Sequence, residues 1–200
     1  LKVNDNQLVQ TLGYTTEGVG ANLYRYDASS TATIDGGFVQ PGIGGTLSFS
    51  GTTFNGTSGT GRFIAVDQSK IIPSRFGVVG AADDTNTLLR CVNALADGAT
   101  IFLDKNQTYL LDDNGAAYAT LTFSGLSNIQ IEGNGATIKA KNGMSADNGT
   151  NLLYFVTCDH VTIRNLIVDG NRDNRSPSGE KTTYNLNFED CDYFTLENVA

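Results

Sequence analysis

Leu126-Ser-Asn-Ile129-Gln-Ile131, Cys158-Asp-His-Val161-Thr-Ile163 and Cys191-Asp-Tyr-Phe194-Thr-Leu196 can be laid on one another. Each runs apolar, two turn-forming polar residues, apolar, polar, apolar. The anchors Ile129, Val161 and Phe194 stand about 32 and then about 33 residues apart, and Ile131, Ile163 and Leu196 repeat the interval. Self-similarity at a fixed period of this length marks a repeat array. A turn followed by one alternating strand has an apolar face and nothing of its own to cover it, so the copies must stack. The expected core is a solenoid of parallel strands ~4.8 Å apart, each inward aliphatic above its counterpart.

Bulk composition agrees. The 200 residues include 23 Gly, 3 Pro and no Trp, with a net charge of −8. Glycine combined with abundant Thr, Asn and Ser argues for β structure with many tight turns. An acidic chain repels phosphate backbones, which excludes nucleic acid as a partner and disfavours anionic membrane surfaces. No apolar run approaches the ~20 residues that span a bilayer, and no basic stretch followed by an apolar one marks a leader peptide. Cys91, Cys158 and Cys191 form neither a disulfide framework nor a zinc signature. Cys158 and Cys191 hold equivalent repeat positions and read as reduced, buried small hydrophobes stacked in neighbouring coils. The last repeat stops at Asn198-Val-Ala200 without a polar cap and the first residue is Leu1, so the expectation is the front portion of a longer polypeptide.

Residues 1–70 read as a β-rich region with short strands at Asn22–Tyr26, Gly37–Val39, Thr46–Phe49 and Arg62–Val66, separated by Gly- and Thr-rich turns. Its few large aliphatics fit either a thin domain completed by neighbouring chains or a linker with local hairpins. From 71 onward, Pro73 breaks the chain and Arg75–Val79 reads as a strand. A helix follows, with Asp83 or Asp84 as N-cap, a stripe of Leu88, Val92 and Leu95 with Leu89 and Ala96, and a stop at Asp97-Gly98. The helix is expected to plug the open end of the column and shield its edge. Ile101–Leu103 and Thr108–Leu111 read as strands around the turn Asp104-Lys-Asn-Gln107, while Lys139–Asn151 and Asn171–Thr183 read as loops.

Carboxylate pairs are the first test for sugar-bond cleavage, which needs two about 5–9.5 Å apart. Asp83/Asp84 fit a helix start and Asp112/Asp113 a turn before Asn114-Gly115. Glu189, Asp190 and Asp192 lie near one corner, but Asp192 aligns with Asp159 and Ser127 at a turn position, so no catalytic residue is assigned. A calcium-dependent lyase would need a base beside an acidic cluster. Arg164, Arg172 and Arg175 near Asp169 and Asp173 read instead as solvated loop charges, and neither a metal set nor a cofactor motif is assigned. His160 stands at a turn position without a Ser or Cys partner. Sugars stack on rings, which makes Tyr184 and Tyr193 candidate carbohydrate contacts, with Asp169 and Arg172 as polar candidates beside them. Tyr154 and Phe155 are expected to split between surface and core.

Arg75-Phe-Gly-Val-Val-Gly-Ala-Ala-Asp-Asp-Thr-Asn-Thr-Leu88, followed by Gly98-Ala-Thr-Ile-Phe-Leu103 and Thr108-Tyr-Leu-Leu111, resembles the opening of the pectate-lyase-like superfamily. The chain departs from that pattern in a shorter approach to Asp83 and in having Asp104-Lys-Asn-Gln107 where the family usually carries a proline turn. Asn22-Leu-Tyr-Arg-Tyr-Asp27, Thr33–Phe38 and Gly61–Gln68 look like the segment ahead of the β-helix in bacteriophage tail fibres and tailspikes. The resemblance implies a right-handed parallel β-helix over 71–200 with a short N-terminal capping helix. It further implies a virion component assembled in host cytoplasm as a homotrimer, anchored to tail or adaptor proteins through residues 1–70 and directed at bacterial surface polysaccharide. The same superfamily holds lyases and hydrolases, so the alternative is a depolymerase with its active site downstream. A bacterial adhesin is a third reading that fits less well.

Overall fold

The computed structural model describes residues 3–14, 17–113, 119–144, 151–175 and 184–200. Six strands come first: β1 (Leu8–Gln10), β2 (Leu23–Asp27), β3 (Val39–Ile43), β4 (Phe49–Ser50), β5 (Thr53–Phe54) and β6 (Thr60–Ala65). Antiparallel pairing orders four of them β1-β2-β6-β3, and β4-β5 form a separate hairpin. In β2 the side chains alternate, with Tyr24 and Tyr26 buried and Leu23 and Arg25 exposed. The strand expected at Gly37 begins only at Val39. The Asp35 carboxylate accepts the backbone N–H groups of Gly37, Phe38 and Val39 at 2.7–2.9 Å, bending the chain there. The strand expected from Thr46 likewise begins at Phe49.

The remaining elements are β7 (Lys70–Ile71), α1 (Thr85–Asn93), β8 (Thr100–Phe102), β9 (Thr108–Leu111), β10 (Ala119–Ser124), β11 (Gln130–Glu132), β12 (Thr137–Ala140), β13 (Asn151–Val156), β14 (Asp159–Asp169), β15 (Leu186–Glu189) and β16 (Asp192–Val199). Every pairing among these strands is parallel. One ladder runs β7-β8-β11-β14-β16, a second β9-β12-β14 and a third β10-β13-β15. Strand β14 serves two ladders, pairing β11 with its front half and β12 with its rear half.

Register follows the sequence period. Ile131, Ile163 and Leu196 share one row, and Val161 faces Phe194. The row extends to Ile101 and Ile71, two rungs that the repeat alignment does not contain. Tyr109, Ile138 and Val168 form a second row, and Phe123, Phe155 and Phe188 a third. The three rows and α1 share one apolar core. Each fully buried aliphatic or aromatic in it contributes roughly 1.5–3 kcal/mol. Phe194 and Leu196, inward by register, are 51% and 44% exposed in the last rung.

Corners form by a change of φ sign at stacked positions. Gly125, Thr157 and Asp190 lie at +64°, +52° and +50°, Asn128, His160 and Tyr193 at +57°, +54° and +52°, and Asn134, Asn165 and Asn198 at +51°, +52° and +52°.

Helix α1 rests on the core with Leu88, Cys91 and Val92 buried. Leu88 and Val92 face Ile101, Ile138 and Phe123, one from each ladder, around a residual cavity of about 10 Å³. The N-cap is Asp84, but its carboxylate makes no capping bond and instead accepts the N–H groups of Ala81 and Leu110 at 3.1 and 2.9 Å. Asp83 accepts Thr85 N–H. The helix ends at Asn93, so Leu95 and Ala96 of the expected stripe lie beyond it.

Two further expectations are corrected. Pro73–Arg75 form a 3-10 turn and no strand follows through Val79, because Pro73 favours a turn start and Phe76 is drawn into the core. Lys139 and Ala140 belong to β12 and Asn151 to β13, and Arg172–Asn174 form a second 3-10 turn. The rest of those two expected loops, like Asn114-Gly115, lies largely outside the described residues. The first sheet meets the parallel stack closely. Phe38 lies edge-on to Phe76 with ring centres 5.3 Å apart, and Arg90 donates to Gly51 O at 2.8 Å while covering the Phe49 ring. A Cβ at Gly37 would stand 2.4 Å from the Phe76 ring, so only glycine fits there.

Candidate functional site

The repeat places Asp159-His160 directly beneath Asp192-Tyr193. The imidazole and phenol rings stack with centres 4.8 Å apart and planes inclined by 27°. His160 Nδ1 lies 2.8 Å from Asp159 Oδ1, which fixes the imidazole plane and leaves Nε2 free of that contact. Tyr193 is 74% exposed. Both residues occupy the left-handed region, where the preceding coil has Asn128. Asparagine tolerates that conformation, whereas a bulky aromatic pays for it in strain. Neither ring recovers that cost through burial, and left-handed strain of this kind concentrates at binding and catalytic sites. Aligning Cys158-Asp-His against Cys191-Asp-Tyr was the signal that could have joined His160 to Tyr193, since equivalent positions one period apart become neighbours.

The other sequence candidates are not brought to this corner by any described contact. Tyr184 is 51% exposed, and its carbonyl accepts Leu152 N–H at 3.0 Å at the approach to β15. Asp169 ends β14 and is paired with Lys139 one coil earlier at 2.5 Å. That hydrogen bond holds its carboxyl below the ordinary range. It also accepts Asn171 N–H at 2.7 Å, which shapes the turn into the 3-10 segment bearing exposed Arg172. Arg164 pairs with Glu197 at 3.0 Å rather than with Asp169 or Asp173.

The acidic corner near β15 is also occupied. Glu189 accepts the Tyr154 phenol at 2.6 Å, and this bond, ahead of the smaller effects of desolvation and neighbouring charge, pushes the phenol up to about 12. Tyr154 faces outward while Phe155 is fully buried, as strand alternation requires. Cys191 Sγ lies 3.4 Å from Cys158 N, which confirms the stacking of the two positions, and both thiols are free. Among the described residues no group of three or more His, Cys, Asp or Glu could hold a metal ion.

The parallel-strand fold is similar to that of a solved phage tailspike domain. The chain's structure matches the enzymatically active domain of tailspike protein 2 from bacteriophage CBA120 with a TM-score of 0.51 at 16% identity, over 84% of this chain and 29% of that one. Full-length tailspike protein 2 from an Escherichia coli O157:H7 bacteriophage is 13% identical with a TM-score of 0.47, over 99% of this chain and 34% of that chain. A tailspike from Acinetobacter baumannii bacteriophage Fri1, described as a capsular polysaccharide depolymerase, is 16% identical with a TM-score of 0.37, over 100% and 52%. The chain thus spans about a third of the length of the first two. No protein-family model and no curated protein matches the sequence.

Proposed function

We propose that this chain works as part of a phage tailspike: a right-handed parallel β-helix over residues 71–200, plugged by α1, with residues 1–70 turned toward the tail. In this reading it is a virion component assembled in host cytoplasm. It acts as a homotrimer, meets a tail or adaptor protein through residues 1–70, and presents its lateral surface to bacterial surface polysaccharide. The observation that supports the glycan role best is the exposed, strained His160–Tyr193 pair, because a pyranose ring stacks on such a surface. Tyr184, Asp169 and Arg172 remain candidate contacts away from this corner, and Asp169 is already paired with Lys139.

The test is a titration of the protein with capsular polysaccharides purified from a panel of Gram-negative strains. At least one should bind, and Tyr193→Ala should weaken it about tenfold with an unchanged circular dichroism spectrum. Equal binding by the variant would remove the platform from the reading. Release of reducing ends or unsaturated sugars during the titration would move the assignment to the depolymerase alternative. Sedimentation equilibrium at the mass of one chain would refute the trimer.

A further inference from the structure

Cys158 and Cys191 take no part in the function described above, yet the repeat sets these two thiols one above the other. The backbone around them is fixed on both sides. Val156 pairs with Glu189 before the corner and Asp159 with Asp192 after it, both in parallel register. Thr157 and Asp190 turn the two coils at φ of +52° and +50°. Thr157 N–H donates to Glu189 O at 2.9 Å, and Asp192 N–H to Cys158 O at 3.0 Å. Strands paired in this way stand ~4.8 Å apart, inside the ~4.4–6.8 Å between Cα atoms that a disulfide spans.

The side chains are placed for the same bond. Cys191 Sγ accepts Cys158 N–H at 3.4 Å, so it already leans onto the Cys158 coil. The thiols otherwise make weak contacts to carbonyls, Cys158 to Phe123 O and Val156 O at 3.4 and 3.5 Å and Cys191 to Glu189 O at 3.3 Å. Val156 O and Glu189 O also accept backbone N–H groups, from Gly125 and Thr157, so loss of the thiol hydrogens strands neither. Cys158 is 1% exposed and Cys191 half-covered, which gives an outside reagent one point of entry. Burial raises the Cys158 pKa above the ordinary range, so that thiol reacts second and slowly.

We propose that Cys158 and Cys191 form a modification site, at which a small-molecule disulfide installs one intrachain disulfide between the coils. With oxidised glutathione, the Cys191 thiolate attacks one sulfur, a glutathione thiolate leaves, and a mixed disulfide remains on Cys191. Cys158, deprotonated in turn, attacks the Cys191 sulfur and expels the second glutathione thiolate. Two protein thiols lose two electrons, the reagent's S–S bond gains them, and the two released protons end on the two glutathione thiols. The bond closes a span of 33 residues and ties together the rungs whose next residues carry His160 and Tyr193. The chemistry stands apart from the glycan reading; only its timing, after release from a reducing cytoplasm, rests on the virion reading.

The test incubates the whole chain with oxidised glutathione, quenches with acid and maps the thiols by mass spectrometry without reduction. The protein should lose two hydrogens, link the peptides carrying Cys158 and Cys191, and keep Cys91 as a thiol. The rate should rise about tenfold per pH unit below about pH 8, and the melting temperature of the product by about 5–10 °C. Cys158→Ser should stop at glutathione on Cys191, and Cys191→Ser should take up none. An unvaried chain that stays unmodified, stops at glutathione on Cys191, or joins either cysteine to Cys91 or to another chain overturns the proposal. Linked peptides in a protein that binds no capsular polysaccharide uphold it, whereas the reverse result removes it and leaves the glycan reading standing.

Discussion

At the residue scale the chain spends conformational energy where its repeat has a cheaper option. Asn128 shows that asparagine suits the corner that Tyr193 occupies at φ +52°. Tyr193→Asn should therefore raise unfolding free energy by about 1 kcal/mol in urea titrations while losing glycan affinity, an opposition that a purely structural tyrosine would not show. Tyr154 offers a second test. Its phenol should ionise at about 12 by ultraviolet difference titration, because Glu189 accepts its proton. Glu189→Gln should lower that midpoint toward the ordinary ~10. As a group with a raised pKa, Tyr154 supports the fold below ~10 and loses that support as pH rises through 12.

At the element scale the aromatic row holds the third ladder together. Phe123, Phe155 and Phe188 stack at 4.5 and 4.8 Å, with Phe194 4.4 Å further along. Phe155→Ala should cost about 3–5 kcal/mol, because it opens a cavity and strips both neighbours of a stacked ring. Leu88→Ala on α1 should cost about 2–5 kcal/mol and leave the outer strands intact by hydrogen exchange. These elements were legible to different degrees. Ile131, Ile163 and Leu196 were readable because their coils share one spacing and one turn. Ile101 was readable as a strand residue, but its place in that row and that of Ile71 were not, because α1 interrupts the first coil and hides the period. Arg75–Val79 looked like a strand by composition, yet Pro73 and the burial of Phe76 decided its shape. Tyr193 was visible as a candidate ring, but its stacking on His160 was not, since the two stand 33 positions apart in the sequence.

Across the whole molecule, charged pairs tie successive coils: Lys139 with Asp169, Lys141 with Asp112, and Arg164 with Glu197. Asp169 is held below its usual value chiefly by the hydrogen bond from Lys139. Its contribution is therefore present above the unfolded pKa of ~3.9 and is lost as pH falls through the lower folded value. Asp169→Asn should lower stability modestly at neutral pH and leave it unchanged well below pH ~4, so that the acid limb flattens, read by thermal melts across that range. The buried Cys91 on α1 extends this to motion at the base of the column. Its thiol has no exposure, and burial raises its pKa well above normal, while Cys191 is only half-covered. A maleimide should label Cys191 promptly and Cys91 only when the helix lifts away, so one chain carries both a stopwatch for that event and the reference that calibrates it.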